Sequence, residues 1–112
     1  LRTGASIMRI IKTERFNVTD SATKEYQFNN NLTGDTVASE MYINLDADAT
    51  VAVTGYVDEA DAGTGLAAIN MRTFEIVTTI AEKGNYLVMT GSLQKVKMDI
   101  TGTTNVTTKI LY

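Results

Sequence analysis

The chain predicts an all-β fold, an antiparallel β-sandwich of jelly-roll-like or immunoglobulin-like type with seven to nine strands. Three observations lead there. Threonine joins Val, Ile, Tyr and Phe in repeated short segments, and these residue types pack well on a pleated surface while losing side-chain freedom in a helix. Clusters of Gly, Asn, Asp and Ser separate those segments at short intervals, as turns between strands require. Several segments also alternate between apolar and polar residues, the period of a strand with one face buried and the other in water.

Taken from the N-terminus, Met8 to Thr13 reads as a strand, with Phe16 and Val18 continuing it after a break, and Tyr26 with Phe28 belonging to another. From Met41 the pattern is cleaner. Met41, Ile43 and Leu45 face one way and Tyr42 and Asn44 the other; beyond the turn Asp46-Ala47-Asp48, the set Val51, Val53 and Val57 repeats the alternation. Leu66 to Lys83 admits two readings, because Leu66, Ile69, Val77, Ile80 and Ala81 fit a helical stripe whereas Phe74, Ile76 and Ile80 fit an alternating strand. The block Thr73 to Ile80 is rich in β-branched residues, which favours the strand.

Tyr86 to Thr90 lies between Gly84 and Gly91, each placed to take a positive-φ turn position. Next, Gln94, Val96, Met98 and Ile100 alternate with Lys95, Lys97 and Asp99, giving one apolar and one charged face. After Thr101-Gly102-Thr103-Thr104, the set Val106, Thr108 and Ile110 alternates with Asn105, Thr107 and Lys109, which predicts a closing hairpin. The expected core is Val51, Val53, Ile76, Val88, Val96, Met98, Ile100, Val106 and Ile110.

With 112 residues, 44% of them hydrophobic and 21% charged, the chain has the size and balance of one globular domain. We place that domain at residues 8–112. Leu1 to Ile7 reads as an expression scar or as an N-terminal arm that packs on a neighbour. Ten basic against 13 acidic residues give a net charge of -3 without a basic run, so nucleic acid is not an expected partner. No apolar stretch approaches the ~20 residues a membrane-spanning helix needs. Cysteine, histidine, proline and tryptophan are all absent, which removes disulfides, thiolate and imidazole ligands and the commonest catalytic base. The expectation is a protein that is not an enzyme, with no cofactor, no metal and no catalytic residue.

One loop concentrates functional residue types. Asp58, Glu59 and Asp61 lie in Asp58-Glu59-Ala60-Asp61-Ala62-Gly63-Thr64-Gly65, oxygen ligands on a glycine-containing loop, but without the spacing or ligand number that calcium requires. A solvated acidic loop is the simpler reading. Asp46 and Asp48 with Thr50 form a second acidic turn, for which a local Asx turn is expected. Of the tyrosines, Tyr26, Tyr42, Tyr86 and Tyr112 suit half-buried strand positions, while Tyr56, beside the acidic loop, is the candidate contact residue. The candidate binding set is therefore Tyr56, Asp58, Glu59 and Asp61.

Running from Leu66 to the end, the order is Leu66-Ala67-Ala68-Ile69, a Thr-rich strand, Ala81-Glu82-Lys83-Gly84-Asn85-Tyr86, then Thr90-Gly91-Ser92-Leu93-Gln94-Lys95-Val96-Lys97-Met98, a Gly-Thr turn and a Val/Thr strand. This order resembles the small β-sandwich proteins that tailed bacteriophages build into their virions as head-decoration, head-fibre or tail-associated modules. The resemblance implies a virion structural protein, assembled in the bacterial host cytoplasm, that contacts capsid or tail proteins and its own copies, with a homo-oligomer, for instance a trimer, as its working form. The sequence departs from the pattern at Lys97, where arginine is common, and in Asp58 to Gly65, where an aromatic is common, so a binding role for the loop does not carry over. A carbohydrate- or receptor-binding β-sandwich module is the alternative.

Overall fold

Alternation becomes ten strands in the computed structural model, which describes residues 11–28 and 40–111. They are β1 (Ile11–Val18), β2 (Ser21–Gln27), β3 (Glu40–Leu45), β4 (Thr50–Tyr56), β5 (Thr64–Leu66), β6 (Ala68–Asn70), β7 (Ile76–Val77), β8 (Gly84–Met89), β9 (Lys95–Thr101) and β10 (Thr104–Leu111). The count exceeds the expected seven to nine because β5, β6 and β7 hold only two or three residues each, too few to show an alternation. No helix occurs among the described residues, so the helical reading of Leu66 to Lys83 fails. Phe16 and Val18 belong to β1 without a break. Leu1 to Ile7, the Met8 to Ile10 part of the first predicted strand, and Tyr112 lie outside the described residues.

The strands form two sheets, β1-β10-β3-β8-β6-β7 and β2-β9-β4-β5, and every pairing is antiparallel. Without the β6–β7 hairpin, the four strands left in each sheet follow a jelly-roll order. That order corrects one expectation. The turn at residues 101–104 does not close a hairpin, because β9 lies in the four-stranded sheet and β10 in the six-stranded one.

The chain likewise crosses between sheets from β1 to β2 and from β3 to β4, and hydrogen bonds tie these corners together. Gly102, at φ +125°, donates its N–H to Asp20 O at 2.7 Å. Asp46 accepts from the Asn105 N–H at 2.9 Å and from Asn105 Nδ2 at 2.8 Å, while Asp48 Oδ1 accepts the Lys83 N–H at 2.9 Å. The expected local Asx turn at Asp46 and Asp48 is thus replaced by long-range bonds that join strands. Those bonds from Asn105 hold the Asp46 carboxyl below its ordinary value.

Between the sheets lie Val51, Val53, Val88, Val96, Met98, Ile100, Val106 and Ile110, all buried as expected, with Met41, Ile43, Leu45, Ile80 and Tyr86 beside them. Ile76 is the exception, at 71% exposed. Its partner is Ile69, which pairs with Leu87, and Leu87 points outward because its neighbours Tyr86 and Val88 point in. Val77 instead packs on the core, so the predicted register was off by one residue, enough to exchange the two faces. Phe74, expected on the same strand, lies in the turn before β7. Val57 is exposed rather than inward because β4 ends at Tyr56. Among the described residues the positive-φ glycines are Gly63, Gly84 and Gly102, so Gly84 meets its expectation and Gly91 does not.

Candidate functional site

Register places Tyr56 at the end of β4 beside Lys95 of β9, which in turn pairs with Gln27 of β2. The Lys95 ammonium stands 4.4 Å from the centroid of the Tyr56 ring and 3.8 Å from Glu25 Oε2. A hydrogen bond to the Tyr56 side chain is also the largest cause holding Lys97 above its ordinary value, ahead of the nearby Asp99 charge. From the loop, Gly63 approaches so closely that a Cβ there would meet Tyr56 Cε2 at 2.7 Å, and its φ of +104° further favours glycine. The ring is therefore partly covered by its own chain.

The acidic loop is likewise occupied with itself. Asp61 Oδ2 accepts the Val57 N–H and Oδ1 the Gly63 N–H, each at 2.9 Å, and these two bonds, Val57 first, hold its carboxyl below the ordinary value. Asp58 Oδ1 accepts the Ala60 N–H at 3.0 Å. The structure does bring Tyr56, Asp58, Glu59 and Asp61 together, with Gln27, Gln94 and Lys95, around one hollow of about 120 Å³. That volume suits a few water molecules, and the shallow hollow of about 430 Å³ beside it, lined by Val57, Asp58, Glu59, Ala60 and Gln94, offers no aromatic ring on which a sugar could stack. Among the described residues no three Asp or Glu side chains converge in a way that could hold a metal ion.

A second polar cluster lies between β1 and β2, the adjoining edges of the two sheets. The Tyr26 hydroxyl donates to Glu14 Oε1 at 2.6 Å and lies 2.7 Å from Thr108 Oγ1; Lys24 Nζ sits 2.9 Å from Glu14 Oε2. These groups, with Lys12, Gln27 and Ile110, line a cleft of about 430 Å³. Glu14 is held below its ordinary value, first by Tyr26 and then by Lys24. Its charge is thus balanced internally. Charged residues on the inner side of edge strands also discourage pairing with another chain.

The two outer faces differ in chemistry. Across the four-stranded sheet the outward residues include Thr23, Glu25, Gln27, Lys95, Lys97, Asp99 and Thr54, a face suited to water. On the six-stranded sheet one row reads Thr13, Lys109, Tyr42, Leu87, Ile69, Ile76, and the next reads Ile11, Leu111, Glu40, Met89. From β3 to β7 the first of these rows is apolar apart from the Tyr42 hydroxyl, with Tyr42, Leu87 and Ile69 half-buried. Ile76, Met89 at 63% and Ile11 at 56% are largely exposed. At the hairpin tip Phe74 is 76% exposed and adopts φ +63°, a left-handed conformation that is strained for an aromatic residue.

Sequence reasoning missed this face. One signal was readable, since Tyr86-Leu87-Val88-Met89 is apolar on both sides of a strand, whereas a sheet with one wet face alternates.

No family model and no curated protein matches the chain. Among solved structures, the SPBc2 prophage-derived protein YomS superposes with a TM-score of 0.69 at 15% sequence identity, over 95% of this chain and 98% of that one. The Yersinia pseudotuberculosis-derived mitogen aligns more loosely, with a TM-score of 0.42 at 14% identity over 92% and 86% of the two chains. The likeness to YomS is one of fold, and it extends over nearly the whole chain.

Proposed function

We propose that this chain is a structural protein of a bacteriophage particle, built into the capsid or tail in multiple copies, and that it acts by protein–protein contact rather than by chemistry on a substrate. The observation that carries the reading is the apolar outer face of the six-stranded sheet, on which Tyr42, Ile69, Leu87, Ile76 and Met89 stand together. A rigid jelly roll that keeps one outer face polar and the other apolar is suited to being seated on a neighbour. The whole-chain likeness to a prophage-derived protein supports the viral setting, as does the motif order from Leu66 onward. A sugar-binding role draws less from the geometry, because Lys95 covers the Tyr56 ring that would stack on a sugar.

The test is composition. Particles induced from the strain that encodes the chain are purified through a density gradient and analysed by quantitative mass spectrometry. The chain is expected in the particle band at a copy number comparable to other structural proteins. Its absence from intact particles, while it accumulates in the lysate, would refute the virion reading.

A further inference from the structure

We infer that the apolar face is covered by a second copy of this chain, packed sheet to sheet about a two-fold axis that runs along the strands between β8 and β6. The inference rests on the assembly reading above and names one of its partners.

The register defines the fit. Rotation about that axis sets Leu87 over Ile69 of the second copy and Tyr42 over Ile76, with the reciprocal contacts repeated, as a two-fold interface requires. Met89 falls at the same end as Ala67, beyond the end of β6. The basic residues of this outer face, Arg15 on β1 and Lys109 on β10, stay outside the overlap because their strands lie on the far side of β3. Like charges are therefore not brought together, and the polar groups that the overlap does reach are Glu40 at one end of β3 and the hydrogen-bonded pair Asn44 and Asn85 at the other. A displaced axis through the middle of the sheet would instead bury Lys109 against Ile69.

Size decides what kind of contact this is. β3 and β8 run for six residues each but β6 for three and β7 for two, which at ~4.8 Å spacing and ~3.4 Å rise offers on the order of 300 Å² of sheet per copy. The total of about 600 Å² is below the ~1,000 Å² of a stable specific interface, so the dimer should be weak, with a dissociation constant in the upper micromolar range, and strengthened by repetition within a particle. The open edges of β1 and β2 are poorer routes to association, with Lys12, Glu14 and Lys24 turned to their inner side. Phe74 adds a further argument. It holds a strained left-handed position where glycine would sit without strain, while its side chain stays 76% exposed, and burial on association is what would offset that strain.

The experiment is light scattering and sedimentation of the full chain from about 5 µM to about 500 µM, a range spanning the expected dissociation constant. The mass is expected to rise from 12.2 kDa toward twice that value. Ile76→Lys and Met89→Lys, at exposed positions that leave the core intact, should each weaken association at least about tenfold. Thr23→Lys on the opposite outer face should leave it unchanged. Phe74→Gly separates contact from folding, since it should raise the melting temperature of the monomer yet weaken the dimer. Peroxide oxidation of Met89 should slow as concentration rises.

A chain that stays monomeric throughout overturns the inference, as does a trimer or a dimer indifferent to Ile76→Lys and Met89→Lys. A monomer whose Met89 already resists oxidation would mean that the chain covers its own face, which also overturns it. If such a monomer is found in purified particles, the assembly reading stands with another partner on the face. A dimer that never enters particles has the opposite meaning.

Discussion

The Tyr26 hydroxyl joins the two sheets near their β1 and β2 edges, bonded to Glu14 and Thr108 at 2.6 and 2.7 Å. Thr108 is 1% exposed, so removal of this partner leaves a hydroxyl in the interior with one contact fewer. Tyr26→Phe should therefore destabilise the fold by about 1–2 kcal/mol. The effect should also depend on pH. Burial, then the bond to Glu14, pushes the Tyr26 phenol well above its ordinary 10.0. The native state thus holds the phenolic proton more tightly than the unfolded chain does. Stability from this group is complete below about pH 10 and declines as pH rises through the interval up to the native value. The urea midpoints of wild type and Tyr26→Phe should consequently converge between about pH 8 and about pH 11. A constant gap across that range would show that the hydroxyl is not held as described.

At the scale of elements, the segment between β6 and β8 shows how one offset changes the role of a residue. Ile80 is 1% exposed and forms a reciprocal bridge with Val51, at 2.8 and 3.1 Å. Ile76, four residues earlier, faces outward. Ile80→Ala should cost about 2–5 kcal/mol, as expected when a core isoleucine is truncated. Ile76→Ala in dilute protein should change stability by no more than about 0.5 kcal/mol. Equal losses in chemical denaturation would return Ile76 to the core and reverse the register of β7.

The same segment marks where sequence reading stopped. The strands β3, β4, β9 and β10 were legible because each runs for six to eight residues with one buried face, long enough for period 2 to emerge. In β7 only Ile76 and Val77 are paired, and both are β-branched, so nothing in the pattern says which one points inward. Corners were misread for a related reason. Thr101 to Thr104 has the composition of a hairpin turn, but whether the next strand returns to the same sheet depends on partners distant in sequence, such as Asp46 for Asn105. The candidate loop was found through its residue types, and the structure did gather Tyr56, Asp58, Glu59 and Asp61. Sequence could not show that Val57, Gly63 and Lys95 would occupy them.

Considered as a whole molecule, the jelly roll pairs the beginning of the described chain with its end. Ile11 aligns with Leu111 and Val18 with Thr104, and β10 also pairs with β3, so neither the strand order nor the core can be completed until the last residues arrive. Folding dominated by such distant pairings is expected on the scale of milliseconds to seconds. A further slow step common in other proteins has no source here, because the sequence contains no proline, and isomerisation at X-Pro bonds is what produces phases of roughly 10–100 s. Refolding from urea, followed by tyrosine fluorescence in the absence of tryptophan, should give one phase at low protein concentration and no amplitude at tens of seconds. Holding the chain unfolded for longer before dilution should not alter that result. If a second, slower phase emerges on raising the concentration, it should accelerate with concentration and vanish in Ile76→Lys, as association of two folded copies through the apolar face would require. A slow phase that is independent of concentration and persists in that variant would instead point to a trap in the topology itself, with misplacement of β10 between β1 and β3 as the step to examine.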